Sequence, residues 1–79
     1  MPAEITVRFW AGAQRAAGHS EESLVADTVG ELRAVLAARR ELRPVCEVAS
    51  FLVDGVQAGE EMGLFDGAVV DVLPPFAGG

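Results

Sequence analysis

The sequence predicts an α+β domain in which a mixed sheet of four to five strands carries one main helix on one face. Three observations point to it. Short stretches of period-two hydrophobic alternation recur along the chain, the first being Ile5-Thr6-Val7-Arg8-Phe9-Trp10. A well-signalled helix start, Asp27-Thr28, interrupts them. A single helix cannot cover both faces of a sheet, so it packs on one and leaves the other partly open.

Each element has a local cause. In the first strand Ile5, Val7 and Phe9 share one face, and Thr6, Arg8 and Trp10 share the other. Residues 11–19 are small and contain glycine, which predicts a loop. Glu21 to Ala26 resumes as a strand antiparallel to the first. Thr28 and Glu31 have the spacing of a capping box, in which the hydroxyl takes a first-turn N–H and the carboxylate reaches back. Leu32, Val35, Leu36 and Leu42 fall on one helix face, with Arg33, Arg40 and Glu41 elsewhere. Pro44 is expected to stop this helix and to push Arg43 out of helical geometry. Val45 to Ala49 fits either a single helical turn or a bend. Ser50-Phe51-Leu52-Val53, Asp54-Gly55 and Val56-Gln57-Ala58 read as a hairpin, because Asp-Gly supplies the positive-φ pair of a two-residue turn. Gly59 to Leu64 is a polar connection, and Phe65-Asp66-Gly67 turns the chain into a last strand, Ala68 to Leu73. That strand is rich in valine and is placed centrally, beside the first. The arrangement is a β-grasp, or ubiquitin-like roll, forming one domain over residues 1–79 with a flexible tail at 74–79.

Composition excludes several function classes. Seventy-nine residues suffice for one small core, and 51% hydrophobic content marks a globular chain. A net charge of −6 argues against nucleic acid, whose phosphates require a basic face, and against an anionic membrane surface. All six cations are arginine, so the chain could not be extended through lysines of its own. Met1-Pro2-Ala3-Glu4 lacks a basic leader, and no apolar run approaches a membrane span, so a cytoplasmic location is expected. One cysteine cannot make an internal disulfide.

The C-terminal end carries the chemistry. Leu73-Pro74-Pro75 leads through Phe76 and Ala77 to Gly78-Gly79. Terminal glycines contribute little to packing and are costly to order. They offer a thin arm ending in a carboxylate, able to enter an active site that any Cβ would obstruct. Pro74-Pro75 keeps the base of the arm extended, and the six residues from Pro74 reach about 20 Å at roughly 3.3 Å each. The tail reads as a substrate handle presented to another enzyme.

The remaining chemical side chains have plainer readings. Cys46 reads as a buried small hydrophobe without a cation or helix start to activate it. His19 has no cluster of ligands around it, so no metal site is expected. Glu21-Glu22 and Glu60-Glu61 read as solvated turn charges, and Asp71 is expected to face outward, opposite Val70 and Val72. Trp10 points onto the open face, where Leu73 and the tail's Phe76 could join it in an apolar, partner-binding patch.

Phe9-Trp10-Ala11 followed by Arg15 and Gly18, Thr28-Val29-Gly30-Glu31-Leu32, Leu52-Val53-Asp54-Gly55, Leu64-Phe65-Asp66-Gly67 and Val70 to Gly79 together resemble the small subunit of molybdopterin synthase, within the ubiquitin-like sulfur carriers. The two prolines before the diglycine favour that branch over the thiamine-pathway carriers. Ala68 stands where the family often has an acidic residue, and Asp54 where it has asparagine. The resemblance implies that an E1-like enzyme spends ATP to adenylate Gly79. It implies that a sulfur donor protein then displaces AMP to leave a thiocarboxylate. It also implies that the synthase's large subunit takes up the tail, Pro74, Pro75, Phe76, Ala77 and Gly78 giving access. The chain would be a non-catalytic, sulfur-donating subunit with no bound cofactor. Service to thiamine or cysteine synthesis, a protein modifier joined through Gly79 to lysines, and an inert β-grasp interaction module remain as alternatives.

Overall fold

A computed structural model describes residues 3–75. Strand β1 (Glu4–Phe9) buries Ile5, Val7 and Phe9 on one face, as its alternation requires. Helix α1 (Gly12–Ala17) follows, then β2 (Glu21–Val25), α2 (Val29–Ala37), α3 (Arg43–Cys46), β3 (Ser50–Val53), β4 (Val56–Gln57) and β5 (Val69–Leu73). The five strands lie in the order β2-β1-β5-β3-β4. β1 and β5 pair in parallel, and every other neighbouring pair is antiparallel. This is the predicted β-grasp, with the first and last strands central. Val70 and Val72 join Ile5, Val7, Phe9, Phe51 and Val53 on the sheet's inner face, and Val29, Leu32 and Leu36 of α2 close over them. Among the described residues no helix is long and apolar enough to cross a membrane.

Two turns are built as their residues dictate. The predicted cap forms in a shifted version, with Glu31 N–H donating to Thr28 Oγ1 at 3.1 Å, while Glu31 Oε1 reaches back one residue past the cap to accept from Asp27 N–H at 2.9 Å. In the hairpin Asp54 and Gly55 take φ values of 48° and 86°, the pair of positive angles that matches strand twist. Asp54 Oδ1 also accepts from Val69 N–H at 3.0 Å, tying the hairpin to the start of β5.

The structure corrects three local readings. Residues 11–19 are not a plain loop, because 12–17 form α1 and Gly18, at φ 86°, caps it in left-handed geometry. Only Ala13 of α1 is fully buried, with Ala16 and Ala17 packed partly against the core, so the stripe that seats the helix is made of alanine alone and announces it weakly. Helix α2 stops at Ala37, well before Pro44, and Val35 is exposed while Leu42 is buried from the following turn. Pro44 does not end a helix: it lies in the first turn of α3, where no i−4 bond is lost, and Arg43 is helical and donates its N–H to Arg39 O.

Candidate functional site

The open face of the sheet is ordered by strand register. β1 and β5 pair Arg8 with Asp71, and β3 sets Leu52 on the other side of Asp71. Asp71 therefore lies in the middle of the sheet, opposite the core valines. Its expected outward direction holds, yet it is shielded from solvent: only 7% of the residue is accessible. Arg8 and Trp10 cover it. Arg8 Nε donates to Asp71 Oδ1 at 2.7 Å and Arg8 Nη2 to Oδ2 at 3.2 Å. Trp10 Nε1 donates to the same Oδ1 at 2.9 Å. The Arg8 guanidinium also stands 5.6 Å from the Trp10 ring centroid. The Arg8 hydrogen bonds hold the Asp71 carboxyl below its ordinary range, with help from the indole N–H and against the effect of burial.

Trp10 sits just beyond β1 and is 45% exposed. It borders a groove of about 800 Å³ with Ala11, Arg15, Leu52, Leu73 and Pro74. Pro75 lines the same groove. The structure thus brings Trp10, Leu73, Pro74 and Pro75 together at the root of the tail, where β5 ends against Ser50. Phe76, Ala77, Gly78 and Gly79 lie outside the described residues. Ala11 turns the chain from β1 into α1 at φ 49° and ψ −124°, a strained conformation for a residue with a Cβ. Arg8, Arg15 and Asp71 belong to this face; alternation had set Arg8 beside Trp10 and turned Asp71 outward, but none of the three was named as a site residue. The opposite charges of Arg8 and Asp71 on the outward faces of two strands expected to be neighbours are the signal that would have paired them.

The other candidates resolve differently. Glu22 is not a solvated turn charge. It lies in β2 opposite Val7, where Arg39 Nη1 donates to its Oε1 at 2.8 Å and Arg39 Nη2 reaches its Oε2. His19 Nε2 meets the same carboxylate, and the Arg39 bonds push the Glu22 carboxyl down to about 2. The His19 ring also packs edge-on against Phe9, 5.7 Å between centroids. Glu21, Glu60 and Glu61 are exposed, with a Glu60 carboxylate oxygen 3.4 Å from Arg33 Nε. Cys46 is fully buried. Contrary to expectation it has cations near it, Arg33 and Arg39, but burial outweighs them and pushes the thiol up, away from thiolate. Arg33 itself is absorbed by the fold: it donates to the Cys46 and Ala49 carbonyls and lies 4.6 Å over the Phe51 ring. Among the described residues no group of three or more His, Cys, Asp or Glu side chains could hold a metal ion.

No curated protein sequence matches the chain. Solved structures do. The small archaeal modifier protein 1 from Methanosarcina acetivorans is 26% identical over 100% of this chain and 99% of its own, with a TM-score of 0.85. A chain from the complex of subunits 1 and 2 of the molybdopterin-converting factor of Helicobacter pylori is also 26% identical, over 96% of this chain and 99% of its own, with a TM-score of 0.76. The ubiquitin of Caldiarchaeum subterraneum shares the fold at 17% identity, over 100% of each chain, with a TM-score of 0.67. The model of the ThiS family matches residues 7–79, so the chain belongs to that family of ubiquitin-like sulfur carriers.

Proposed function

We propose that this protein carries sulfur as a thiocarboxylate on Gly79 and serves as the small subunit of a molybdopterin synthase. The observation that carries the proposal is a pairing: membership of a sulfur-carrier family over residues 7–79, and a Pro74-Pro75 tail root set beside an apolar groove bordered by Trp10 and Leu73. A carboxylate is a poor electrophile. In the proposed sequence an E1-like enzyme transfers AMP from ATP to the Gly79 carboxylate and releases pyrophosphate. A sulfur donor protein then displaces AMP, leaving sulfur in place of one carboxylate oxygen. The large subunit takes the loaded tail into its site and passes the sulfur to a pterin precursor. The domain supplies delivery and positioning and no acid, base or metal of its own. ATP is consumed by the activating partner.

Local structure supports this use of the tail. Pro74 has no N–H and cannot extend the β5 ladder past Leu73, so the chain leaves the sheet there. A large-subunit partner agrees with the neighbour from Helicobacter pylori, which was solved as a complex of two converting-factor subunits. A second reading, a modifier joined through Gly79 to lysines of other proteins, is favoured by the likeness to the archaeal modifier at the same 26% identity.

The test is incubation with an E1-like enzyme, ATP and a sulfur donor from the same cell, followed by intact mass spectrometry. The wild-type chain should gain the mass of one oxygen-to-sulfur exchange. Deletion of Gly79, Gly78→Val and a one-residue extension should each abolish that gain in a folded domain. Co-purification with a pterin-binding subunit selects the synthase reading, and lysine-linked adducts select the modifier. A wild-type chain that never acquires sulfur refutes the carrier proposal.

A further inference from the structure

We propose that Asp71 is a positioning residue: it holds the Trp10 ring in one orientation on the open face, so that the large subunit meets an anchor already in its bound geometry. The inference rests on the docking reading above and deepens it. A half-exposed tryptophan ordinarily samples several rotamers and loses that freedom on binding. Here the ring is held twice. Its edge is bonded through Nε1 to Asp71 Oδ1 at 2.9 Å, and its face lies by the Arg8 guanidinium, 5.6 Å from the centroid. A single oxygen, Asp71 Oδ1, takes both the indole N–H and Arg8 Nε, so the ion pair and the ring orientation are one unit.

The plainer alternative is a cross-strand ion pair that stabilises the sheet. Its energetics are weak. The pair is two-pronged, but the Arg8 side chain is 46% exposed, so solvent screening limits what it adds to stability. The Asp71 side chain is only 10% exposed, so withdrawing its charge from water is a cost that only full satisfaction offsets. A carboxylate in mid-sheet that adds little stability, and whose third bond goes to the largest side chain of the face, is accounted for by what it does to that side chain.

The unit also defines the partner surface. Arg8 and Asp71 neutralise each other, so a partner can cover that pair without burying an unpaired charge. A carboxylate from the partner would compete for Arg8 and release the ring. The surface that fits is apolar opposite Trp10, Leu52 and Leu73, with a polar group facing Arg15, which lines the same groove.

Trp10 is the only tryptophan and there is no tyrosine, so intrinsic fluorescence reports one ring. Acrylamide quenching and anisotropy decay would be recorded on the isolated chain, and affinity on the purified large subunit. Asp71→Ala should increase quenching, speed the local anisotropy decay and weaken the complex about 3- to 10-fold, the cost of ordering one side chain on binding. Asp71→Asn keeps an acceptor for Trp10 Nε1 and should recover most of both signals. The double variant Arg8→Met, Asp71→Leu replaces the pair with apolar groups, so it should unfold near the wild-type midpoint and still show the mobile ring and the weaker complex. A folded Asp71→Ala chain with unchanged quenching and affinity overturns the proposal. So does an affinity loss that follows stability and vanishes in the double variant. If the wild-type chain and the large subunit fail to associate while quenching responds as expected, the docking reading has failed, and with it the role assigned to Asp71.

Discussion

Replacing Glu22 with glutamine should destabilise the domain by an amount that depends on pH. Glu22 extends from β2 on the helix side of the sheet, its side chain 16% exposed, and binds Arg39 from the turn beyond α2. Those bonds carry its carboxyl from an ordinary 4.5 to about 2. Taken whole, that displacement corresponds to about 3 kcal/mol. Arg39 is 34% exposed, however, and solvent screening brings the expected contribution to about 1–2 kcal/mol. The sign follows from the direction. A carboxyl with a depressed folded pKa stabilises the fold fully above its unfolded value, near 4.5, and the contribution drains away as pH falls toward 2. Glu22→Gln should therefore lower stability by about 1–2 kcal/mol at neutral pH and converge on the wild type near pH 2. Urea unfolding of both chains at several pH values from 7 to 2 measures the gap. A gap that stays constant across that range, or no gap at neutral pH, would mean that the Arg39–Glu22 contact is not a stabilising ion pair.

Two further changes probe the fold and the site separately. Cys46→Ala should cost about 1 kcal/mol from the lost buried sulfur and leave thiocarboxylate formation on the tail intact, as read by intact mass spectrometry. A folded Cys46→Ala chain that cannot be loaded would put the thiol on the sulfur route. Ala11→Gly should raise the urea midpoint by the equivalent of about 1 kcal/mol, because relief of the strain at φ 49° exceeds the added unfolded-state entropy. A lower midpoint would show that the Ala11 methyl contributes packing at the groove that outweighs its strain.

The strand order was legible because each strand carried a local signal. Alternation from Ile5 to Phe9, the Asp54-Gly55 turn and the valines of β5 each name an element without reference to the others. A single main helix and a valine-rich last strand then leave few ways to bury one apolar face. Helix α1 was missed because its core-facing stripe, Ala13, Ala16 and Ala17, is made only of alanine and gives a faint hydrophobic signal. Its alanines are good helix formers, but Gly12 and Gly18 at its ends read equally well as loop. The misreading of Pro44 has the same root: a proline signals a helix end or a helix start, and only the chain around it decides which.

The open face shows where local signals run out. Alternation placed Trp10, Arg8 and Asp71 on one side of the sheet, but it could not say that they touch. Arg8 and Asp71 are 63 residues apart, and they meet because β1 and β5 run in parallel with Arg8 opposite Asp71. A one-residue slip of that register would turn Asp71 into the core, so the valines that forbid the slip also bring the carboxylate to the indole. The same argument separates burial from facing. A side chain can point away from the core and still be shielded, if a long neighbour on the next strand lies over it, as Arg8 does over Asp71. Whether a polar residue on an open face is a solvated charge or part of a built surface is therefore a property of strand pairing. In this fold the central parallel pair ends at the tail, so the contacts that register alone creates stand beside the segment the function is proposed to use.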